Sequence, residues 1–183
     1  MRDTHLAFAP GATLVADLGE IVRDATTQTA LVARVADRLA VGDDGRRGLI
    51  DRFCRVAPRQ YTQNLLYVAP DRSFSVVALA WGPGAQTCIH DHAGWCAVAV
   101  YEGVEFEHRY RLHRDGRGAR LSEAGRAVLE AGRTFGMAAD GQDIHRVGNY
   151  TGDVTLSLHV YGVDIGRAGS SIKSRYDALP VVA

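Results

Sequence analysis

The sequence predicts a mainly β fold, a small barrel of short strands preceded by two or three helices. Three observations lead there. Apolar residues repeat at helical spacing only in the first part of the chain; after Pro58 the pattern changes to short β-rich runs broken by glycine and by Pro-Gly or Asp-Gly signals. A His-x-His pair, His90 and His92, then stands among those runs, where strand alternation puts both imidazoles on one face.

In chain order, Leu14, Val15, Leu18, Ile21 and Val22 share one helical stripe, and Leu31, Val32, Val35 and Leu39 share a second. Both stripes read as packing faces of amphipathic helices. A third short helix is expected after Asp43-Asp44, which can cap it, with Leu49, Ile50 and Phe53 turned inward. Strands are expected at Leu65–Val68, Phe74–Trp81, Cys96–Tyr101, Val104–Leu112, from Arg120–Leu121 onward, and at Val154–Tyr161. That run of closely spaced strands suits a small barrel or sandwich. No internal repeat and no Pro, Ser or Gly-rich linker interrupts the chain, so residues 1–183 are expected to form one domain. Its helical part would cover about 1–57, its barrel about 58–165, and a C-terminal tail 166–183.

A chain of 183 residues can bury a substantial core. Its formal net charge is zero, which removes an electrostatic grip on nucleic acid or on an anionic membrane. Lys173 is the only lysine among 21 basic residues, a bias of composition rather than of function. No apolar run approaches the roughly 20 residues needed to cross a bilayer, and Met1-Arg2-Asp3-Thr4-His5 is not followed by a signal-peptide core. A cytoplasmic location is therefore expected. Cys54, Cys88 and Cys96 make an odd count without a C-x-x-C pair, which argues against a disulfide scaffold; Cys54 and Cys88 read as small buried hydrophobes.

Two imidazoles on one strand are half of a metal site. A third ligand must come from elsewhere, and the best candidate is His145, because Asp143-Ile144-His145-Arg146-Val147-Gly148-Asn149 resembles the H-x3-N end of the second cupin motif. Imidazole donors with open positions suit Fe, Zn, Cu or Ni, and the spacing alone does not choose among them. Around the pair, Gly84, His90, His92 and Gly103 keep the frame G-x5-H-x-H-x3-4-E-x6-G, which resembles the first motif of the cupin β-barrels. Cys96 stands where that motif carries a glutamate ligand. His145 and Asn149 match the H-x3-N end of the second cupin motif, while Asp140 and Gln142 replace its Pro and Gly.

Five segments together resemble the cysteine dioxygenase family, the thiol dioxygenases of the cupin superfamily: Tyr61-Thr62-Gln63-Asn64-Leu65, Ile89-His90-Asp91-His92, Cys96, His145-Arg146-Val147 and Ser157-Leu158-His159-Val160-Tyr161. The resemblance implies one ferrous iron per chain on His90, His92 and His145, with O2 as co-substrate. Three neutral ligands leave the full metal charge to be offset by a substrate thiolate, whose pKa coordination lowers. It implies that Ser157, His159 and Tyr161 form a relay beside the metal, alternation placing all three on one strand face. Cys96 fills the position that becomes covalently joined to the relay tyrosine in the animal enzymes, so a Cys96–Tyr161 thioether is implied, although many bacterial relatives have glycine there.

Where cysteine-specific members carry arginine to clamp the substrate carboxylate, this chain has Gln63, a neutral amide in place of a two-pronged charged donor. In this the chain resembles the glutamine-type 3-mercaptopropionate dioxygenases, in which an arginine nearer the C-terminus takes over; Arg167 lies in that region, and Tyr61 would add a phenolic hydrogen bond to substrate. The expected function is iron-dependent oxidation of a small mercapto-carboxylate, 3-mercaptopropionate or L-cysteine, to its sulfinic acid. Two alternatives stay open: another metal-dependent cupin oxygenase with a changed pocket, and a non-enzymatic ligand-binding cupin. His5 sits near a terminus, and His108 and His113, in the Arg/Glu-rich stretch Glu105–Arg114, are expected on solvated surface.

Overall fold

A computed structural model describes residues 12–40, 51–116, 118–141 and 143–182. Two helices, α1 (Ala12–Asp24) and α2 (Gln28–Ala40), precede eleven strands: β1 (Tyr61–Val68), β2 (Ser75–Trp81), β3 (His90–His92), β4 (Cys96–Glu102), β5 (Val104–Asp115), β6 (Gly118–Glu130), β7 (Thr134–Met137), β8 (His145–Gly148), β9 (Thr155–Tyr161), β10 (Ile172–Arg175) and β11 (Val181–Val182). A single helical turn, α3 (Ile165–Ala168), lies between β9 and β10. Asp43, Asp44, Leu49 and Ile50 of the expected third helix lie outside the described residues; 51–53 are helical and Phe53 packs against the core.

The strands form two sheets, β1-β2-β9-β4-β7 and β10-β3-β8-β5-β6-β11. They face one another, and a cavity between them is lined by both. Hydrogen bonding does not close the two into a continuous barrel, so the expected barrel is a two-sheet sandwich with open edges. The strands expected at Leu65–Val68 and Val104–Leu112 run longer, from Tyr61 and to Asp115. The short strands β7, β8, β10 and β11 carry too few residues for a visible alternation; β3 is marked only by its His-x-His pair.

The five-stranded sheet is covered on both faces, which explains why every residue of β2 and β9 is buried. Leu14, Leu18, Leu31, Val32, Val35 and Leu39 from the helices meet one face, through Val76, Ala78 and Ala80 of β2, Ala97 and Ala99 of β4, and Leu156, Leu158 and Val160 of β9. A fully buried leucine contributes about 1.5–3 kcal/mol, so this layer is a large share of the core. Thr27 caps α2 by accepting from Ala30 N at 3.2 Å, and Arg38 Nε donates to Asp17 Oδ2 at 2.7 Å to join the two helices. Gly136 on β7 sits so close to α2 that a Cβ there would lie 2.7 Å from the Val32 carbonyl.

The opposite face of the same strands looks between the sheets and carries the intervening residues, among them Val77, Leu79, Trp81, Cys96, Val98 and Tyr161. On β9 the alternation is therefore chemical as well as geometric: leucine and valine go to the helices, while Ser157, His159 and Tyr161 go to the interior. The motif residues outside the strands hold this arrangement together. Gly84 adopts φ 74° and donates its N–H to the Asn149 carbonyl at 2.8 Å; Asn149 Nδ2 in turn donates to the Trp81 carbonyl at 3.1 Å.

Candidate metal centre and its cavity

His90 and His92 project from β3 into the cavity, and His145 on β8 is the register partner of His90. The three rings stand 4.7–5.0 Å apart between centroids, and one nitrogen from each lies within 4.8 Å of the others. All three are buried.

Each ring is held by its other nitrogen. His90 Nδ1 meets the Cys88 carbonyl at 3.0 Å, His145 Nδ1 meets Glu107 Oε1 at 2.9 Å, and His92 Nδ1 faces Asp143 Oδ2 at 3.4 Å. Asp143 Oδ2 also accepts the His92 backbone N–H at 2.8 Å. These partners are what a metal-binding histidine needs, because they fix the ring and leave Nε2 for the ion. His145 Nε2 is buried with no hydrogen-bond partner, an orphan that a bound cation would satisfy. The donor set of three neutral imidazoles thus fits a divalent transition metal.

Electrostatics favour the neutral ligands. Burial, then the neighbouring rings of His145 and His92, push the His90 pKa down to about 3. Burial also lowers that of His92, against the pull of Asp143. For Glu107, burial would raise the pKa, yet hydrogen bonds from His145 and Arg109 outweigh it and hold the carboxyl below its ordinary range; Asp143 is held low in the same way by His92.

The relay lies on the adjoining wall. Ser157 Oγ is 2.8 Å from His159 Nε2, and His159 Nδ1 is 3.0 Å from the Tyr161 hydroxyl. Trp81 Nε1 donates to Ser157 Oγ at 3.0 Å and anchors the far end. The Tyr161 ring lies 5.9 Å from that of His92. Cys96 faces Tyr161 in register across the β4–β9 ladder, a placement that puts opposed Cβ atoms about 4.5–5.5 Å apart. Burial raises the pKa of both the Cys96 thiol and the Tyr161 phenol. Gly162 keeps the pair aligned: its N–H donates to the Trp95 carbonyl at 2.8 Å, and a Cβ there would fall 2.3 Å from the Trp95 indole nitrogen.

Tyr61 and Gln63 line the open side from β1, with Tyr61 stacked on Trp81 at 4.9 Å. Arg167 is placed elsewhere: it is exposed on α3 and is absent from the cavity lining, its backbone N–H donating to Asp164. The cavity holds about 60 Å³. At roughly 10–15 Å³ per water-sized occupant, that is room for about four to six of them.

Several residues of the site were not expected from the sequence. Glu105 and Glu107 fall in the stretch read as solvated, yet both are buried and line the cavity. The signal was there in their two-residue spacing immediately after Gly103, which puts both on one face of β5. Glu107 also binds Arg109, with Oε2 2.7 Å from Nε. Glu105 Oε2 lies 3.5 Å from His159 Nε2 and has no hydrogen-bond partner. His108 and His113 are half-buried, His113 meeting Ser122 Oγ at 2.8 Å, and neither lines the cavity. Cys54 and Cys88 are half-buried, and no cysteine is in a disulfide.

The chain belongs to the cysteine dioxygenase type I family, whose model matches residues 2–165. Among solved structures it is similar to an uncharacterized protein with a double-stranded β-helix domain from Klebsiella pneumoniae, at 16% identity over 68% of this chain and 95% of that one, TM-score 0.48. It is also similar to a Thermus thermophilus protein, at 22% identity over 62% and 93%, TM-score 0.44. A cupin superfamily protein from Desulfitobacterium hafniense is 13% identical over 60% and 84%, TM-score 0.45. No helix among the described residues is long and apolar enough to cross a membrane.

Proposed function

We propose that this chain is an iron-dependent thiol dioxygenase that converts a small mercapto-carboxylate and O2 to the sulfinic acid, R–SH + O2 → R–SO2H. Both oxygen atoms end on sulfur, which gives up the four electrons that O2 accepts. The observation that carries the reading is the set of three buried histidines, each oriented through Nδ1 and clustered without a carboxylate ligand among the described residues, with the Ser157–His159–Tyr161 chain beside it. Bound to these histidines, ferrous iron would supply adjacent positions for thiolate and O2, making a three-body encounter a reaction within one complex.

The protein's own contribution follows from the hydrogen bonds. An indole N–H can only donate, so Ser157 Oγ accepts from Trp81 and its hydrogen is available to His159 Nε2. His159 then carries its proton on Nδ1 and donates to the Tyr161 oxygen, which leaves the phenol O–H for the cavity. The raised phenol pKa keeps that proton in place until it is needed. The in-register pair Cys96 and Tyr161 supports a thioether between them, which would fix the phenol further.

The small cavity suits a small thiol such as 3-mercaptopropionate or L-cysteine, and we take the former as the better candidate because Gln63 stands where cysteine-specific members of the family carry an arginine clamp. A reducing compartment, the cytoplasm, suits both a thiol substrate and three free cysteines. We take residues 1–183 as a single cupin domain. O2 uptake by iron-loaded protein, with sulfinate identified by mass spectrometry against 3-mercaptopropionate, L-cysteine, cysteamine and mercaptosuccinate, tests the proposal. Absence of sulfinate from every thiol, with iron fully loaded, would reject it.

A further inference from the structure

The hydrogen bonds of the relay leave Glu105 unanswered. It enters the cavity from β5 on the facing sheet, is 4% exposed, and its Oε2 has no hydrogen-bond partner among the described residues although it lies 3.5 Å from His159 Nε2. That nitrogen already accepts the Ser157 hydrogen at 2.8 Å, because the Ser157 oxygen itself accepts from Trp81. A carboxylate oxygen and a ring lone pair therefore face one another with no hydrogen between them. An unpaired buried charge is costly, and no lysine or arginine is among the described residues that line the cavity. A proton on Nε2 would answer both groups at once, with Ser157 turning from donor to acceptor.

The reaction supplies such a proton. An alkyl thiol holds its hydrogen at neutral pH, cysteine titrating near about 8.5, so a thiol that binds as thiolate gives up a proton inside the cavity. Few groups there can take it. Burial raises the Tyr61 and Tyr161 phenols and the Cys96 thiol, with Glu105 adding to the rise at the last two, so all three keep their own hydrogens. Glu107 is matched by His145 and Arg109, and the three clustered histidines are committed to the metal. What remains is the facing pair, Glu105 and His159.

We propose that Glu105 is the counter-ion for a second proton on His159, so that the cavity keeps the proton a thiol gives up on binding. This rests on the thiol reading above. The S–H bond breaks, an N–H bond forms at His159 Nε2, no electron moves, and the net charge of the cavity is unchanged. His159 then faces the Tyr161 oxygen as a cation through Nδ1, which eases loss of the phenol hydrogen to the cavity. Glu105 is thus a positioning residue that acts on Tyr161 through His159.

The test counts protons. The iron-loaded full chain is titrated without oxygen with 3-mercaptopropionate, by calorimetry in two buffers of different ionisation enthalpy. Wild type should release well under about half a proton per thiol bound, with nearly flat affinity from about pH 6 to 8; Glu105→Gln should release about one, with affinity that rises roughly tenfold per pH unit. His159→Gln should also release about one, because the acceptor is gone. Circular dichroism checks that each variant folds, and Glu105→Met, of similar length, gives the same count if the glutamine variant does not. A wild type that releases about one proton, a Glu105 variant that releases no more than wild type, or a His159→Gln that still keeps the proton would overturn the assignment. A wild type that keeps the proton but forms no sulfinate from any thiol in air would support this pair and reject the dioxygenase reading; one that releases the proton and forms sulfinate would do the reverse. Absence of binding by any thiol would overturn both.

Discussion

Replacing Glu107 by glutamine isolates what a buried carboxylate does for a metal ligand it never shares with the ion. The native carboxylate accepts from His145 Nδ1 at 2.9 Å and from Arg109 Nε at 2.7 Å, and Arg109 Nη2 is also 2.7 Å from Oε2. Glutamine keeps the shape, but one of its two terminal atoms becomes a donor, so only one of the two partners can be satisfied. The lost charged hydrogen bond is worth about 1.5–3 kcal/mol, and loss of a histidine's orienting partner ordinarily costs about 10–100-fold in metal affinity. Both routes give a similar size, so iron affinity in Glu107→Gln should fall by roughly tenfold to a hundredfold. The assay is competition for Fe(II) against a chelator of known affinity, without oxygen. The folded carboxyl is held below its ordinary range, so its contribution is complete above the unfolded value of about 4.3 and is lost only as pH falls through the lower folded value. The deficit should therefore be flat from about pH 5 to 8. Wild-type affinity in a correctly folded Glu107→Gln would refute the idea that this carboxylate supports the site.

Four further outcomes are expected. His145→Ala should bind iron at a small fraction of wild-type occupancy, measured by metal analysis, since two histidines remain and both geometry and affinity are lost. Tyr161→Phe should keep its iron and lose turnover by roughly a hundredfold or more, as removal of a positioned proton donor does, and unchanged kinetics would reduce the relay to packing. If the Cys96–Tyr161 thioether forms, the intact mass after full reduction should be about two daltons below the sequence value, and peptide mapping that recovers only free Cys96 would exclude it. Gln63→Arg should raise kcat/KM for L-cysteine relative to 3-mercaptopropionate, because a guanidinium then enters the lining beside Tyr61.

The His90–His92 pair and the Ser157–His159–Tyr161 row were legible because both are local, their members two apart on single strands that period two puts on common faces; His145, on another strand, was reached only through its resemblance to the second cupin motif. Their partners were not legible, because they arrive from far along the chain. Glu107 is 38 residues from His145, and Asp143 is 51 from His92. The Glu105–Arg114 stretch looked solvated because alternating charges on a strand have that pattern whenever one face meets water. Here the facing sheet covers that side, and Arg109 and the histidines supply the counterparts that burial demands.

The helical layer on the outer face of β9 has a consequence beyond packing. A strand slipped by a single residue would trade Ser157, His159 and Tyr161 for Leu156, Leu158 and Val160, forcing a hydroxyl, an imidazole and a phenol under α1 and α2 without partners. Each such buried polar group costs about 1–3 kcal/mol, whereas against water the slipped strand would lose far less. The N-terminal helices therefore act as a register gauge for the chemistry on the other side of the sheet. An insertion or deletion of one residue within β9 would be rejected by the helices before the metal site could be assembled wrongly.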